Sequence, residues 1–290
     1  MLELAQILVG AIKLGAIYAL AATGLVVIHK ATKVVNFAHG AFVMLGAYVT
    51  YALLVRSELP YAMVYLLAPL LVGALAAAAE WGILRPLRRV DFFPVVLATI
   101  FLGIAIVALV RRLFESDLLA VPPVVYGQLA LGALVVSYET VWIGAGALAA
   151  GVAAALLFSR SAVGRGMRAM AADPRGAELC GYSVNAIYGA AWFAGGALAG
   201  LAGVFVAPPL GVSPELAVSM LVPAFVAAVL GGFDSLKGAI VGGLILGLAE
   251  TLSAFYVSSA MKSAVAFVLL FGILMLRPAG LFPERLLRRV

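Results

Sequence analysis

Long apolar runs fill almost the whole chain and are separated by short polar stretches. A helix that crosses a membrane needs about 20 mainly apolar residues in succession. Runs near that length predict an all-α, polytopic transmembrane bundle of about eight to ten spans. We identify nine: residues 6–28, 34–55, 61–84, 92–113, 139–158, 186–207, 218–233, 238–256 and 262–277. We expect residues 1–290 to form a single membrane domain.

Two places in this pattern carry a short polar, glycine-bearing interruption, one in each half of the chain. The second segment opens as VVNFAHG, with Asn36, His39 and Gly40 near its start. The seventh and eighth segments are joined by LGGFDSLKG, which contains Gly231 and Gly232. Matched interruptions are typical of broken or re-entrant helices that line a polar path. A tight hairpin at each place is the alternative.

The longest polar stretch of clear pattern is residues 159–185, with four arginines and a helix-start signal. Asp173 followed by Pro174 is typical of an N-cap and a first helical residue. Gly181 is a suitable stop, so the pattern predicts a short helix from Pro174 to Cys180. A helix of this length is not stable alone in water. We therefore expect it to dock on another protein.

Composition confirms the class of protein that the pattern indicates. The chain is 65% hydrophobic and 11% charged, whereas soluble domains carry about 25% charged residues. The net charge of +6 does not indicate nucleic-acid binding, because the basic residues are confined to short loops between apolar runs. We expect a protein embedded in membrane lipid.

The basic residues are concentrated in alternate loops, which predicts an orientation. With the N-terminus outside, fourteen of the 19 Lys and Arg lie in cytoplasmic loops, four lie outside, and Lys13 lies within the first span. The sequence therefore predicts a cytoplasmic C-terminus and a cytoplasmic 159–185 loop. The fourteen are Lys30, Lys33, Arg85, Arg88, Arg89, Arg160, Arg165, Arg168, Arg175, Lys237, Arg277, Arg285, Arg288 and Arg289.

Motifs for enzyme chemistry are missing from the sequence. It contains no H-E-x-x-H zinc motif, no G-x-S-x-G elbow and no G-x-x-x-x-G-K-[ST] phosphate loop. Its one cysteine, Cys180, cannot form an internal disulfide or a cysteine-based metal cluster. We expect no catalytic residues, no metal and no cofactor, and any energy from ATP must come through another subunit.

Three ionisable residues lie within predicted spans: Lys13, Glu80 and Glu250. Such residues mark transport pathways or pair with neighbours. Glu250 is the deepest, and it joins the candidate path residues, although a hydrogen bond to a neighbouring helix is the simpler role. Coupling to protons or sodium therefore remains an alternative hypothesis. The candidate path residues are Asn36, His39, Gly40, Gly231, Gly232 and Glu250.

Two further patterns concern packing. Small residues four apart predict close helix contacts in the sixth and eighth segments; the pairs are Gly196/Gly200, Ala199/Gly203, Gly238/Gly242 and Gly243/Gly247. Residues 118–138 contain Pro122-Pro123 and are too interrupted to span a membrane. We expect that region to form a hairpin or cap on the outer surface.

Several longer stretches resemble one family: the permease subunits of bacterial branched-chain amino-acid ABC importers, in particular the H-type. The resemblance covers most of residues 10–285. It rests on NFAHG followed by MLGAY, on the 164–204 stretch, on AVLGG, and on the closing RPAGLF. It implies a permease domain in the inner membrane, working with a second, M-type permease, two cytoplasmic ATPases and a periplasmic binding protein.

The resemblance also implies roles for particular residues. The family places its ATPase-coupling helix in the loop that matches residues 164–183 here, which agrees with the short helix predicted independently. The implied coupling residues are Asp173, Pro174, Arg175, Gly176, Ala177, Glu178 and Gly181. The implied cargo is a branched-chain amino acid or a related small polar solute, such as another amino acid, an amide or urea.

The chain departs from the family pattern at two loops. HKATK at 29–33 is more basic than the family's usual tyrosine- and glycine-containing turn. FDSLKG at 233–238 carries Asp234 and Lys237 where relatives tend to have glycine, serine and proline. We expect these changes to alter an inner gate or only the solubility of the loops.

Overall fold

The computed structural model describes residues 2–114, 118–131, 134–258 and 261–283. Within those ranges the chain forms a bundle of α-helices with one two-stranded hairpin. The helices are α1 (Leu2–Thr32), α2 (His39–Tyr51), α3 (Tyr61–Ala79), α4 (Phe92–Leu113), α5 (Tyr138–Arg160), α6 (Ala162–Ala172), α7 (Pro174–Leu179), α8 (Val184–Leu210), α9 (Leu216–Gly231), α10 (Leu236–Tyr256) and α11 (Lys262–Leu276). Single π-helical turns extend α2 over Ala52–Arg56 and α3 over Glu80–Leu84. A 3-10 turn covers Pro86–Arg89.

Each of the nine predicted segments coincides with one helix, and the all-α polytopic membrane bundle is confirmed. Among the described residues, seven helices are long and apolar enough to cross a membrane. The other two, α9 and α11, are apolar but shorter. Two helices of the bundle, α6 and α7, are not apolar spans and belong to the polar 159–185 stretch.

The region after α4 contains the expected hairpin. Strands β1 (Gln128–Leu131) and β2 (Leu134–Ser137) pair antiparallel, with Gln128 opposite Ser137. The side chain of Gln6, near the start of α1, donates a hydrogen bond to the carbonyl of Val135 at 2.7 Å. The hairpin therefore covers one end of the bundle beside α1. Residues 115–117 and 132–133 lie outside the described part of this region.

Helix α1 runs through the middle of the bundle and packs against α5, α8, α9 and α10. Glycines on α1 allow this close approach. A Cβ atom added to Gly15 would lie 2.9 Å from the Cα of Leu244 on α10. One added to Gly24 would lie 2.9 Å from the carbonyl oxygen of Gly195 on α8. In lipid, helices associate through such small faces because apolar surface gains little by leaving the hydrocarbon.

Helix α8 is a second centre of packing, as its small residues predict. A Cβ atom on Gly200 would lie 2.9 Å from the Cβ of Val72 on α3. One on Gly203 would lie 2.6 Å from the carbonyl carbon of Gly46 on α2. The glycine stripe of α8 thus faces two neighbouring helices at once. The sequence predicted the closeness, and the structure supplies the partners.

The first polar interruption is a true break. α1 ends at Thr32, and α2 begins only at His39. The His39 ring bonds through Nε2 to the carbonyl oxygen of Ala21 at 2.8 Å. Ala21 is eleven residues, or about 16 Å, before the end of α1. The non-helical residues 33–38 therefore turn back into the bundle, and α2 starts deep inside it.

The second polar interruption is a tight hairpin. α9 ends at Gly231 and α10 begins at Leu236. Between them Gly232 has a φ of +104°, a conformation that favours glycine. The amide of Ser235 bonds to the carbonyl of Gly232 at 2.8 Å, which closes the turn. The broken-helix hypothesis is therefore correct for one of the two places, and the hairpin alternative holds at the other.

We expect Gly15→Ala to lower the thermal unfolding temperature in detergent, because its new methyl group collides with the α10 backbone. Overpacking of this kind costs about 1–3 kcal/mol. Gly10→Ala is the matched control, since it lies on the same helix with nothing within 4 Å of the added Cβ. Equal unfolding temperatures for the two variants would contradict the packing of α1 on α10.

Candidate functional site

Many of the basic residues lie together at one end of the bundle, which we call the basic end. It carries Lys30, Lys33, Arg88, Arg168 and Lys237, and also Pro174. Two separate cavities are lined by these residues. One, of about 430 Å³, is lined by Lys33, Arg88 and Pro174 among others. The other, of about 550 Å³, is lined by Lys30, Arg168 and Lys237 among others. Arg285, Arg288 and Arg289 lie outside the described residues.

The predicted short helix is present at the basic end as α7. The side chain of Asp173 accepts a hydrogen bond from the amide of Arg175 at 3.0 Å, as an N-cap should. Pro174 is the first helical residue, and Gly181 has a φ of +87° just beyond the end. The prediction of Pro174–Cys180 is confirmed with the end one residue earlier, at Leu179.

Sequence reasoning missed α6, which precedes α7. Its signals were present: Ser161 caps the helix by accepting from the amide of Gly164 at 2.9 Å. Met167 and Met170 lie on its buried face. A Cβ atom on Gly166 would lie 2.9 Å from the Tyr182 ring, so α6 packs directly on the segment that leads into α8. The 159–185 stretch is therefore a folded helix pair.

The two faces of α7 differ sharply. Ala177 is buried against the chain itself. The side chain of Leu179 is 91% exposed, the largest exposure among the described large apolar side chains. Arg175 and Glu178 are also exposed. Single exposed apolar side chains are common on protein surfaces, so what distinguishes Leu179 is its position on an ordered, capped helix.

Gly176 has a local function as well as a small size. A Cβ atom there would lie 2.7 Å from a carboxylate oxygen of Asp173. A larger residue at this position would therefore disturb the N-cap of α7 itself. Leu179 has no such role, and it is the better position at which to probe docking.

Arg88 connects the start of α8 to α3. Its guanidinium bonds to the side-chain oxygen of Asn185 at 2.7 Å and lies over the Tyr188 ring at 4.6 Å. It also forms an ion pair with Glu80, a residue that is only 1% exposed. The guanidinium of Arg85 lies 3.5 Å from the other carboxylate oxygen of Glu80. A buried carboxylate is costly unless it is paired. Glu80 is therefore a structural anchor that holds the basic end of α3 to α8.

The candidate path residues fall into three separate places. Asn36, His39 and Gly40 lie together at the break, with 0% exposure for Asn36 and His39. Gly231 ends α9 and Gly232 begins the turn to α10. The backbone of Gly238 on α10 approaches Gly231 too closely for any side chain there. The structure brings only the first group together, and a transport role for all of them stays a prediction.

The remaining candidate path residue, Glu250, lies apart from both groups. It is buried on α10, and the hydroxyl of Tyr18 on α1 donates a hydrogen bond to it at 2.8 Å. Lys262 at the start of α11 lies 3.7 Å from the same carboxylate oxygen. The simpler role expected from the sequence, a bond to a neighbouring helix, is present. Lys262 also compensates the buried charge.

The charged loops at 29–33 and 233–238 are in contact. Lys33 donates to the carboxylate of Asp234 at 2.8 Å, and His29 lies 3.7 Å from the same oxygen. The His29 ring packs edge-on against Phe233 with 4.7 Å between ring centroids. Both charges are partly exposed, so the pair contributes at most about 1 kcal/mol to stability. Its position joins the end of α1 to the α9–α10 turn.

Comparison with known proteins assigns the family. Residues 7–274 match the model of a family described as the permease component of the branched-chain amino acid transport system. The chain belongs to this permease family. Its members are membrane components of transport systems, which agrees with the helical bundle described above.

The permease also resembles individual relatives along nearly its whole length. It is 31% identical to the high-affinity branched-chain amino acid transport system permease protein BraD of Pseudomonas aeruginosa, over 95% of this chain and 94% of that protein. It is 32% identical to LivH of Escherichia coli K12, covering 93% and 92%. A probable LivH of Methanocaldococcus jannaschii is 27% identical, covering 95% and 91%. No solved structure matches the permease.

We expect Glu80→Ala to destabilise the permease by about 2 kcal/mol or more, because it leaves two arginines without their buried partner. Thermal unfolding in detergent measures the effect. Glu215→Ala is the control: Glu215 pairs with Arg111 at 3.1 Å, but both side chains are more than half exposed. Loss of an exposed pair costs at most about 1 kcal/mol. A similar loss in both variants would contradict the anchoring role of Glu80.

Proposed function

We propose that this permease is the membrane-spanning subunit of an ATP-binding-cassette importer in the inner membrane of a bacterial cell. Its cargo is a branched-chain amino acid or a related small polar solute, such as another amino acid, an amide or urea. The names of the relatives support the amino-acid class. The partners are a second, M-type permease, two cytoplasmic ATPases and a periplasmic substrate-binding protein. The chain serves as a gate and is not itself an enzyme.

The observation that carries this proposal is the exposed Leu179 on the capped helix α7. A six-residue helix is too short to persist unless both ends and one face are held. Here the N-cap, the Gly181 stop and the buried Ala177 hold it. The side chain of Leu179, beside Arg175 and Glu178, remains exposed on this ordered helix. Such a side chain suits an apolar cleft on a soluble partner, where charged groups at the rim of the cleft can pair with Arg175 and Glu178.

The contacts behind α7 suit it to transmit force. α6 packs on the chain between α7 and α8, and Arg88 ties the start of α8 to Glu80 on α3. A displacement of α7 would therefore move α8 and α3 as one body. We propose that ATP-driven closure of the ATPases pulls on α7 and rocks these spans between inward-open and outward-open states. This is alternating access.

An ion-coupled secondary transporter is the alternative. It needs ionisable groups free to bind protons or sodium inside the membrane. Glu80 and Glu250 both have basic partners, which favours structural roles for them. Uptake by the permease alone in proteoliposomes, driven by a proton or sodium gradient and without ATPases, would favour this alternative over the importer.

We expect Leu179→Asp to abolish the stimulation of ATP hydrolysis by loaded binding protein in the reconstituted importer. The charged aspartate side chain does not enter an apolar cleft. Loss of one central anchor weakens docking by about tenfold or more. Co-purification of the ATPases with the permease measures docking directly. Membrane insertion and thermal stability should stay unchanged, because Leu179 is exposed.

Leu179→Met and Cys180→Ser are the matched controls for this experiment. The first keeps an apolar knob of similar size, and the second changes the neighbouring exposed residue. Both should retain stimulated hydrolysis. Normal co-purification and uptake by Leu179→Asp would refute docking through α7.

The single cysteine allows a test of orientation without a new mutation. Cys180 is exposed next to Leu179, so a membrane-impermeant maleimide should label it in inside-out vesicles and not in right-side-out vesicles. The reverse pattern is expected for Ser57→Cys in a Cys180→Ser background, because Ser57 is exposed beyond the other end of α2. Labelling of Cys180 from the periplasmic side would overturn the proposed topology.

A further inference from the structure

Two buried polar side chains at the break between α1 and α2, Asn36 and His39, each have an atom without a hydrogen-bond partner among the described residues. We infer that Asn36, His39 and the start of α2 form a transient binding site for the charged head group of a zwitterionic amino acid. The inference rests on the proposed function and deepens it, because it says which chemistry of the cargo the permease itself contacts.

Asn36 supplies an unused hydrogen-bond donor. Its Oδ1 accepts from the amide of Ala38 at 3.0 Å, which places the carboxamide at the first turn of α2. Its Nδ2 has no hydrogen-bond partner among the described residues, although the side chain is completely buried. An unpaired buried amide costs about 1–3 kcal/mol. A carboxylate oxygen would supply the acceptor that this amide lacks.

His39 supplies an unused acceptor. Its Nε2 lies 2.8 Å from the carbonyl oxygen of Ala21, which only accepts, so Nε2 carries the hydrogen. In the neutral ring Nδ1 is then an acceptor, and it too lacks a partner among the described residues. An ammonium group donates hydrogen bonds and has no acceptor. One unused donor and one unused acceptor thus lie three residues apart at the same break.

The start of α2 adds a favourable field for the carboxylate. The first amides of a helix carry a partial positive charge, and the thirteen-residue α2 begins at His39 inside the bundle, away from screening solvent. Its first turn contains no acidic side chain that would occupy this field. A zwitterion has no net charge, so dipoles and hydrogen bonds are enough to hold it.

Apolar groups around the break suit the rest of such a cargo. The Phe37 and Phe225 rings stack with 6.1 Å between centroids. A Cβ atom on Gly40 would lie 2.6 Å from the Cβ of Leu221 on α9, so α9 closes over the site. The site is shut in this conformation and becomes accessible only when α2 and α9 separate. A site that opens during the transport cycle and binds weakly favours release of the cargo.

Two substitutions remove the unused atoms and keep the bonds that hold the fold. Asn36→Asp retains the acceptor for the Ala38 amide, lacks the amide donor and repels a carboxylate. His39→Gln retains a side-chain donor that can reach Ala21, and its amide oxygen does not occupy the position of the ring Nδ1 acceptor. In the complete importer, we expect each to lower ATP-driven leucine uptake by about tenfold or more, as the loss of one buried hydrogen bond predicts.

The same preparations allow further measurements, which should change if Asn36 and His39 only hold the fold together. Subunit assembly should stay at the wild-type level in both variants, and His39→Gln should keep the wild-type thermal unfolding temperature. Asn36→Asp lowers that temperature, because its carboxyl is buried without a cationic partner, so uptake is compared per assembled complex. Thr50→Val is the matched control, because Thr50 is also fully buried on α2 but its hydroxyl bonds to Gly46 within the same helix. That variant should transport leucine normally.

The outcomes separate the two proposals. If the wild-type importer moves leucine and both variants move it equally well, the head-group site is refuted. If the wild type moves acetamide or urea but no amino acid, the zwitterion assignment is refuted while the importer stands. If the wild-type assembly moves none of these probes, the proposed function itself fails.

Discussion

Lipid offers no hydrogen bonds, so every backbone group at membrane depth must find its partner within the protein. This constraint governs the fold of the permease, because residues 33–38 leave helical geometry and return into the bundle. Their cover comes from α4, where Thr99 accepts from the amide of Phe37, and from α1, which receives the His39 ring. Glycines such as Gly24 and Gly203 bring the surrounding helices close enough to exclude lipid. The apolar helices outside this centre are free to face hydrocarbon.

The basic end solves a different problem. Charged side chains there must stay ordered without a large apolar core, and Arg88 does so by making several contacts at once. Arg88 pairs with Glu80 and also contacts Asn185 and Tyr188. The result is a stiff connection from the polar helix pair α6 and α7 into α3 and α8. A stiff connection passes on a displacement that a flexible loop would absorb.

The charged loops at 29–33 and 233–238 compensate each other in this structure. Lys33 and Asp234 come from loops 201 residues apart and form one ion pair. Each side chain therefore compensates the charge of the other. Lys33 also adopts a φ of +57°, a conformation that usually favours glycine, as α1 stops. The pair fixes how the end of α1 meets the α9–α10 turn, at little gain in stability.

By itself the sequence determined the membrane class, the nine apolar helices and the capped helix at Pro174, because hydropathy and capping chemistry act over a few residues. It also marked the family through NFAHG and its neighbouring stretches. It left α6 unseen, since polar residues hid a short amphipathic face. Only the tertiary structure decided that one interruption is a break and the other a hairpin, and that Glu80 and Glu250 have basic partners. Those outcomes depend on contacts between residues far apart in the chain, such as His39 with Ala21 and Glu250 with Tyr18, which no local pattern encodes.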